Sequence, residues 1–168
     1  MKISFSPPYI DEDVIKEVDD SLRSGWITTG PKVKALEEET EKLLRCPACS
    51  AVNSWMSGAI LSLRWLGLKS DDEVIVPAYT YCATALAVIE AGAKPVMVDI
   101  GEDMTIDTEK ILQAINPHTK AIIPVDIGGI PCNYLRIKEI INSQEILKLY
   151  TPNSDNQDKL GRIMILSD

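Results

Sequence analysis

Residues 73–99, EVIVPAYTYCATALAVIEAGAKPVMVD, decide the fold of this chain. Val74, Ile75 and Val76 form a short β-branched run closed by Pro77, and Pro95 to Val98 form a second run that closes on Asp99; both read as buried strands. Between them Ala83 to Ala91 is rich in Ala and Leu. Leu86 and Ile89 mark its apolar face, Glu90 meets water, and Gly92 stands where a helix C-cap belongs. Strand, turn, helix, strand is one βαβ unit, the crossover that a parallel pair requires. In such sheets ligands gather beyond the carboxyl ends of the strands. Here that end carries Ala78-Tyr79-Thr80-Tyr81, two aromatic rings and a hydroxyl on a loop that opens a helix.

The same alternation extends both ways. Upstream, Ala51 to Asn53 reads as a small strand and Met56 to Leu68 as a helix carrying Ile60, Leu61, Leu63, Leu66 and Leu68. Ser54, Met56 and Ser57 open that helix, where free N–H groups and the positive dipole end suit a phosphate, although Ser also serves as an ordinary N-cap. Downstream come a helix from Asp107 to about Asn116, a strand over Ala121–Val125, a Gly-rich turn over Asp126–Pro131, a helix around Leu135–Ile141 and a strand over Ile163–Leu166. Residues 143–161 break the rhythm and read as a helix end plus a polar loop. Repeated βα units predict an α/β fold, a mainly parallel sheet covered by helices on both faces.

The first fifty residues read differently. Met1 to Pro8 is an extended lead-in, and Asp11-Glu12-Asp13 begins a helix with Val14, Ile15, Val18 and Leu22 on its apolar face, ending by Gly25. The loop Gly25–Pro31, GWITTGP, offers Trp26, Ile27, Thr28 and Thr29 to a polar ligand or partner chain, and equally suits a buried-Trp loop. Pro31 to Leu44 is a second amphipathic helix with Val33, Leu36, Leu43 and Leu44 inward; Glu37, Glu38, Glu39 and Glu41 make its solvated face.

With 168 residues, 45% of them hydrophobic and 25% charged, the chain has the makeup of one soluble globular domain. A net charge of -8 argues against a nucleic-acid surface, which needs clustered Lys and Arg. No apolar run reaches membrane-span length and no signal-peptide core follows Met1, so a cytoplasmic location is expected. Cys46 and Cys49 form a C-x-x-C, but they precede a candidate strand instead of opening a helix, the wrong context for a redox dithiol. Cys82, Cys132 and His118 add no second close pair, so no metal site is expected. Reduced interior thiols are the simpler expectation.

Five ordered segments carry a resemblance: GWITTGPKVKALEEE, AVNSWMSGAILSLRWLGL, DEVIVPAYTYCATALAVIEAGAKPVMVD, KAIIPVDIGGIPCNY and the terminal ILSD. In order and spacing they resemble the amino-terminal half of the DegT/DnrJ/EryC1/StrS family of pyridoxal-phosphate aminotransferases, which act mostly on nucleotide-linked keto-sugars. The resemblance covers nearly the whole chain and is weakest over 143–161. It implies an aspartate-aminotransferase-like, fold type I large domain with a three-layer, mainly parallel sheet. It also implies a homodimer with the active site at the subunit boundary, and glutamate or glutamine as amino donor. Met56 and Ser57 match the helix start that holds the cofactor phosphate, with Met56 replacing a hydroxyl residue at the expense of about 1 kcal/mol of hydrogen bonding. Tyr81 matches the aromatic residue stacked on the pyridine ring. Asp168 matches the first residue of an Asp-x-x-His segment whose carboxylate pairs with the pyridinium nitrogen. Asp126 stands where many members have His, and its role is left open.

The resemblance also implies what residues 1–168 lack. The family's Schiff-base Lys lies well after the Asp-x-x-His segment, so no catalytic residue is assigned within the chain. The small carboxy-terminal domain is expected to be absent, residues 1–168 being a truncated large domain that is inactive alone and binds pyridoxal phosphate weakly and without covalency. Two other readings compete: a catalytically inactive module binding a nucleotide-sugar or partner, and an unrelated doubly wound domain whose CPAC does redox work.

Overall fold

The computed structural model describes residues 7–168 and falls into two compact units, one ending at Ala51 and one running from Val52 to Asp168. Residues 1–6 of the expected lead-in lie outside the described residues.

In the first unit, helix α1 (Glu12–Ser24) begins where the Asp11 carboxylate accepts the Val14 N–H at 3.0 Å, a bond that holds Asp11 below the usual carboxyl range. It ends at Gly25, whose φ of 72° belongs to the left-handed region and lets its N–H return to the Leu22 carbonyl. Helix α2 (Pro31–Leu44) starts with Pro at its first turn and closes on Arg45 in the same left-handed conformation. The expected apolar faces form, but they are not enclosed. Val14, Ile15, Val18 and Leu22 are exposed; Leu36, Leu43 and Leu44 are exposed too, against the inward packing that their spacing predicts, and Val33 is half-buried. Two helices and a short loop supply too few side chains to surround their own apolar stripes.

The second unit carries the alternating pattern. Its elements are α3 (Trp55–Trp65), β1 (Glu73–Pro77), α4 (Ala83–Glu90), β2 (Lys94–Val98), α5 (Thr108–Ala114), β3 (Thr119–Ile122), α6 (Tyr134–Ile141), α7 (Gln144–Leu149), α8 (Asp155–Leu160) and β4 (Met164–Ile165). The strands are all parallel in the order β2-β1-β3-β4, with Ile75 opposite Val96 and Ile122, and Ile122 opposite Ile165. Alternate residues of the central strands feed opposite faces. Val74, Val76, Ala121 and Ile123 pack with Leu63, Leu66 and Val88, while Ile75 and Ile122 pack with Ile111, Ile137, Ile141 and Ile146. This is the three-layer α/β arrangement expected of a fold type I large domain, and it explains why β1 reads as an unbroken apolar run.

Several expectations are corrected. Ala51–Asn53 is not a strand; it is irregular chain leading to Ser54, whose side chain caps α3. Residues 143–161 contain two short helices, α7 and α8, each started by a serine cap, Ser143 and Ser154. β2 is an edge strand with Met97 exposed, so it is buried on one side only. In α4 the buried residues are Thr84, Ala87 and Val88, whereas Leu86 and Ile89 point to solvent; Leu61 of α3 is exposed as well.

At the amino-terminal end of the central strands lies a buried polar knot. Lys120 of β3, 2% exposed, donates from Nζ to the carbonyls of Pro117 at 2.5 Å and Thr151 at 2.7 Å, and lies 4.0 Å from Asp72 Oδ1. Asp72 in turn accepts from the Lys69 N–H at 2.8 Å and from Asn153 Nδ2 at 2.6 Å. The knot ties the loop between α7 and α8 to the start of β1 and β3, at the end opposite the aromatic loop.

Candidate functional site

Beyond the carboxyl ends of β1, β3 and β4 the chain brings together three of its elements. β4 runs on to Asp168, whose N–H bonds the Pro124 carbonyl at 3.0 Å and whose carbonyl accepts from Asp126 N at 2.9 Å, extending the β3–β4 pairing. The Asp168 carboxylate accepts a 2.6 Å hydrogen bond at Oδ2 from Thr84, in the first turn of α4. Trp55, the first residue of α3, donates from Nε1 to the Ser167 carbonyl at 2.9 Å. The start of α3, the Tyr81 loop with α4, and Asp168 therefore converge. Burial raises the Asp168 carboxyl above its ordinary range, and the Thr84 hydrogen bond opposes that rise.

Each expected site residue in this unit has a definite place. Tyr81 holds its ring out in solvent at 77% exposure, free on its faces. Met56 and Ser57 lie half-buried in the first turn of α3. Ser54 Oγ takes the Ser57 N–H at 3.1 Å and sits 3.0 Å from Ser57 Oγ, so the cap already occupies part of the helix start. The N–H groups of Trp55 and Met56 remain without a partner among the described residues. Asp126 acquires a structural account: its Oδ1 accepts from the Cys132 N–H and from the Tyr134 hydroxyl, each at 2.9 Å, closing the turn after β3. Tyr134 also lies 2.5 Å from Ser167 Oγ. Burial pushes the Tyr134 phenol up to about 12 and the Cys132 thiol up to about 11, so both are neutral near pH 7.

Trp26, Ile27, Thr28 and Thr29 belong to the first unit. The Trp26 indole donates to the Thr29 carbonyl at 3.0 Å, folding the loop over Gly30, where a Cβ would overlap the ring. Trp26, Ile27 and Thr28 line a cavity of about 430 Å³ together with Ser24 and Lys32. In the same unit Cys46 and Cys49 are free thiols, and Cys46 Sγ donates to the Ala48 carbonyl at 3.5 Å. Among the described residues no group of His, Cys, Asp or Glu is placed to hold a metal ion, and no helix is long and apolar enough to cross a membrane.

Sequence reasoning missed Trp55, Thr84, Tyr134 and Ser167. Thr84 carried the one local signal, a polar β-branched residue in an otherwise Ala-rich helix. The others act through contacts between residues distant in the chain, Trp55 with Ser167 and Tyr134 with Ser167.

Asp168 offers one carboxylate oxygen fixed by Thr84 and a second, Oδ1, with no hydrogen-bond partner among the described residues. Partly desolvated, it suits a cationic N–H such as a pyridinium. The N–H groups opening α3 suit an anionic phosphate and the Tyr81 face suits a flat ring. The donor set thus fits pyridoxal phosphate.

Comparison with known proteins gives concordant results. The model of the DegT/DnrJ/EryC1/StrS aminotransferase family matches residues 8–149. The uncharacterized protein MJ1066 of Methanocaldococcus jannaschii is 42% identical over 147 residues, covering 85% of this chain and 38% of that protein. The spore coat polysaccharide biosynthesis protein SpsC of Bacillus subtilis is 39% identical over 132 residues, covering 78% and 34% respectively. Among solved structures, the PLP-form of the "Putative sugar aminotransferase Spr1654" from Streptococcus pneumoniae superposes with a TM-score of 0.93 at 44% identity. That match covers 100% of this chain and 43% of that one. The chain thus spans about two-fifths of the length of the relatives it matches.

Proposed function

Because the chain belongs to the DegT/DnrJ/EryC1/StrS aminotransferase family, we propose that residues 1–168 form the pyridoxal-phosphate-binding part of the large domain of a sugar aminotransferase. The reaction we assign is transfer of an amino group from glutamate or glutamine to a nucleotide-linked keto-sugar, in sugar-nucleotide or cell-surface polysaccharide biosynthesis. The likeness to a polysaccharide biosynthesis protein and to a sugar aminotransferase solved in its PLP-form supports that assignment. The observation that carries it is the convergence of Asp168, the Tyr81 loop and the start of α3 at the carboxyl end of a parallel sheet.

Pyridoxal phosphate, when bound, supplies the electron sink for amino-group transfer. The chain's own residues hold it. The N–H groups of Trp55 and Met56, at the positive end of α3, hold the phosphate, Tyr81 covers one ring face, and Asp168 Oδ1 accepts the ring N–H. Asp168 thereby keeps the ring nitrogen protonated. In this reading, binding by residues 1–168 themselves is non-covalent and weak. The protein acts as a cytoplasmic homodimer, with the Gly25–Pro31 loop facing substrate or the second subunit.

Titration of the chain with pyridoxal phosphate, followed by tryptophan fluorescence and cofactor absorbance, tests this reading. Saturable binding that Asp168→Ala abolishes is expected. Binding unaffected by Asp168→Ala, or seen only through nonspecific lysine adducts reducible by borohydride, would remove the assignment.

A further inference from the structure

Thr84 is fully buried in the first turn of α4, yet its hydroxyl does not bond back to the carbonyl four residues earlier, the usual recourse of a helical threonine. It reaches across 84 residues of sequence to Asp168 Oδ2 at 2.6 Å, and a second hydroxyl, Thr80 Oγ1, lies 2.9 Å behind it. An ionised carboxylate only accepts hydrogen bonds, so the single Thr84 proton goes to Asp168. Thr84 Oγ1 must then accept from Thr80. The direction is set as Thr80 to Thr84 to Asp168, a polarised chain in which each bond strengthens the next.

We propose that Thr84 is a positioning residue that fixes the Asp168 carboxylate by one oxygen, with Thr80 as its support, and so aims the other oxygen at the ring nitrogen of the cofactor. This rests on the cofactor reading above. Threonine suits this role because β-branching stiffens its χ1, and full burial prevents water from replacing it. The other titratable side chains on the elements holding Asp168 are Asp126, Cys132 and Tyr134 on the side of β3 and α6, and Tyr81 and Cys82 before α4. None of them donates to the Asp168 carboxylate among the described residues. A chain of neutral hydroxyls therefore carries the stabilisation of the ionised form.

The test uses 13C-labelled aspartate in the full chain without cofactor, with Asp168→Asn identifying the resonance. Thr84→Val, nearly isosteric but without a hydroxyl, should move the Asp168 carboxyl titration upward. Thr84→Ser should restore it, and Thr80→Val should give a smaller upward move. With pyridoxal phosphate as probe, Thr84→Val should weaken binding about tenfold, the scale of one hydrogen bond to a charged group, and Thr84→Ser should recover it. A merely structural threonine would lower stability on Thr84→Val and leave the Asp168 titration in place; that outcome overturns the inference, whatever the cofactor does. A titration that moves as expected in a chain that binds no pyridoxal phosphate supports the anchoring of Asp168 and overturns the cofactor reading instead.

Discussion

Replacing Lys120 by methionine keeps the length and apolar volume of the side chain and deletes only its ammonium group. The carbonyls of Pro117 and Thr151 then lose a charged donor at 2.5 and 2.7 Å, and buried Asp72 loses the cation 4.0 Å away. Hydrogen bonds from a charged group contribute roughly 1.5–3 kcal/mol each. Against that loss stands the desolvation of an ammonium at 2% exposure, which the variant no longer has to bear and which pushes Lys120 below the ordinary lysine range. Asp72 is not orphaned, because the Lys69 N–H and Asn153 Nδ2 still reach it. The net cost should be about 3 kcal/mol, the lower end of what breaking a buried pair removes. Urea unfolding followed by far-UV circular dichroism measures it. Wild-type stability should also climb as pH rises through the depressed pKa of Lys120 toward the unfolded-state value, since the unfolded chain binds more protons there, and Lys120→Met should lose that slope. A loss under about 1 kcal/mol would refute the view that the knot clamps the amino-terminal end of the central strands. Pyridoxal phosphate binding under native conditions should be unchanged, because the knot lies at the opposite end of the strands.

Tyr81→Ala should weaken pyridoxal phosphate binding by about 1 kcal/mol, the scale of an aromatic stack, while Cys46→Ser and Cys49→Ser leave it unaltered; fluorescence titration distinguishes the two. The raised pKa of Asp168 makes its contribution to stability largest below the unfolded carboxyl value and lost as pH rises through the folded one. Asp168→Asn, still able to accept from Thr84, should therefore unfold at higher urea than wild type at pH 7, with the two converging in acid, while it binds the cofactor less well.

The apolar runs at 74–76 and 121–125, their capped helices and the intervening turns carried the parallel three-layer fold in the sequence, because a strand buried on both faces must be apolar throughout and a crossover needs a helix. The ordered motifs likewise placed Tyr81 and Asp168 at one end of the sheet. Tertiary structure alone decided which neighbours meet at the candidate site. Thr84 meets Asp168 across 84 positions and Trp55 meets Ser167 across 112, and no local period encodes such a pairing. It also decided the burial of Lys120, a residue whose type argues for the surface until the carbonyls of Pro117 and Thr151 are brought to it. Leu86 and Ile89 show the converse. Their spacing marks an apolar face, but the register of α4 against the sheet turns Thr84, Ala87 and Val88 inward, because contact with the strands, and not hydrophobicity alone, selects the buried face.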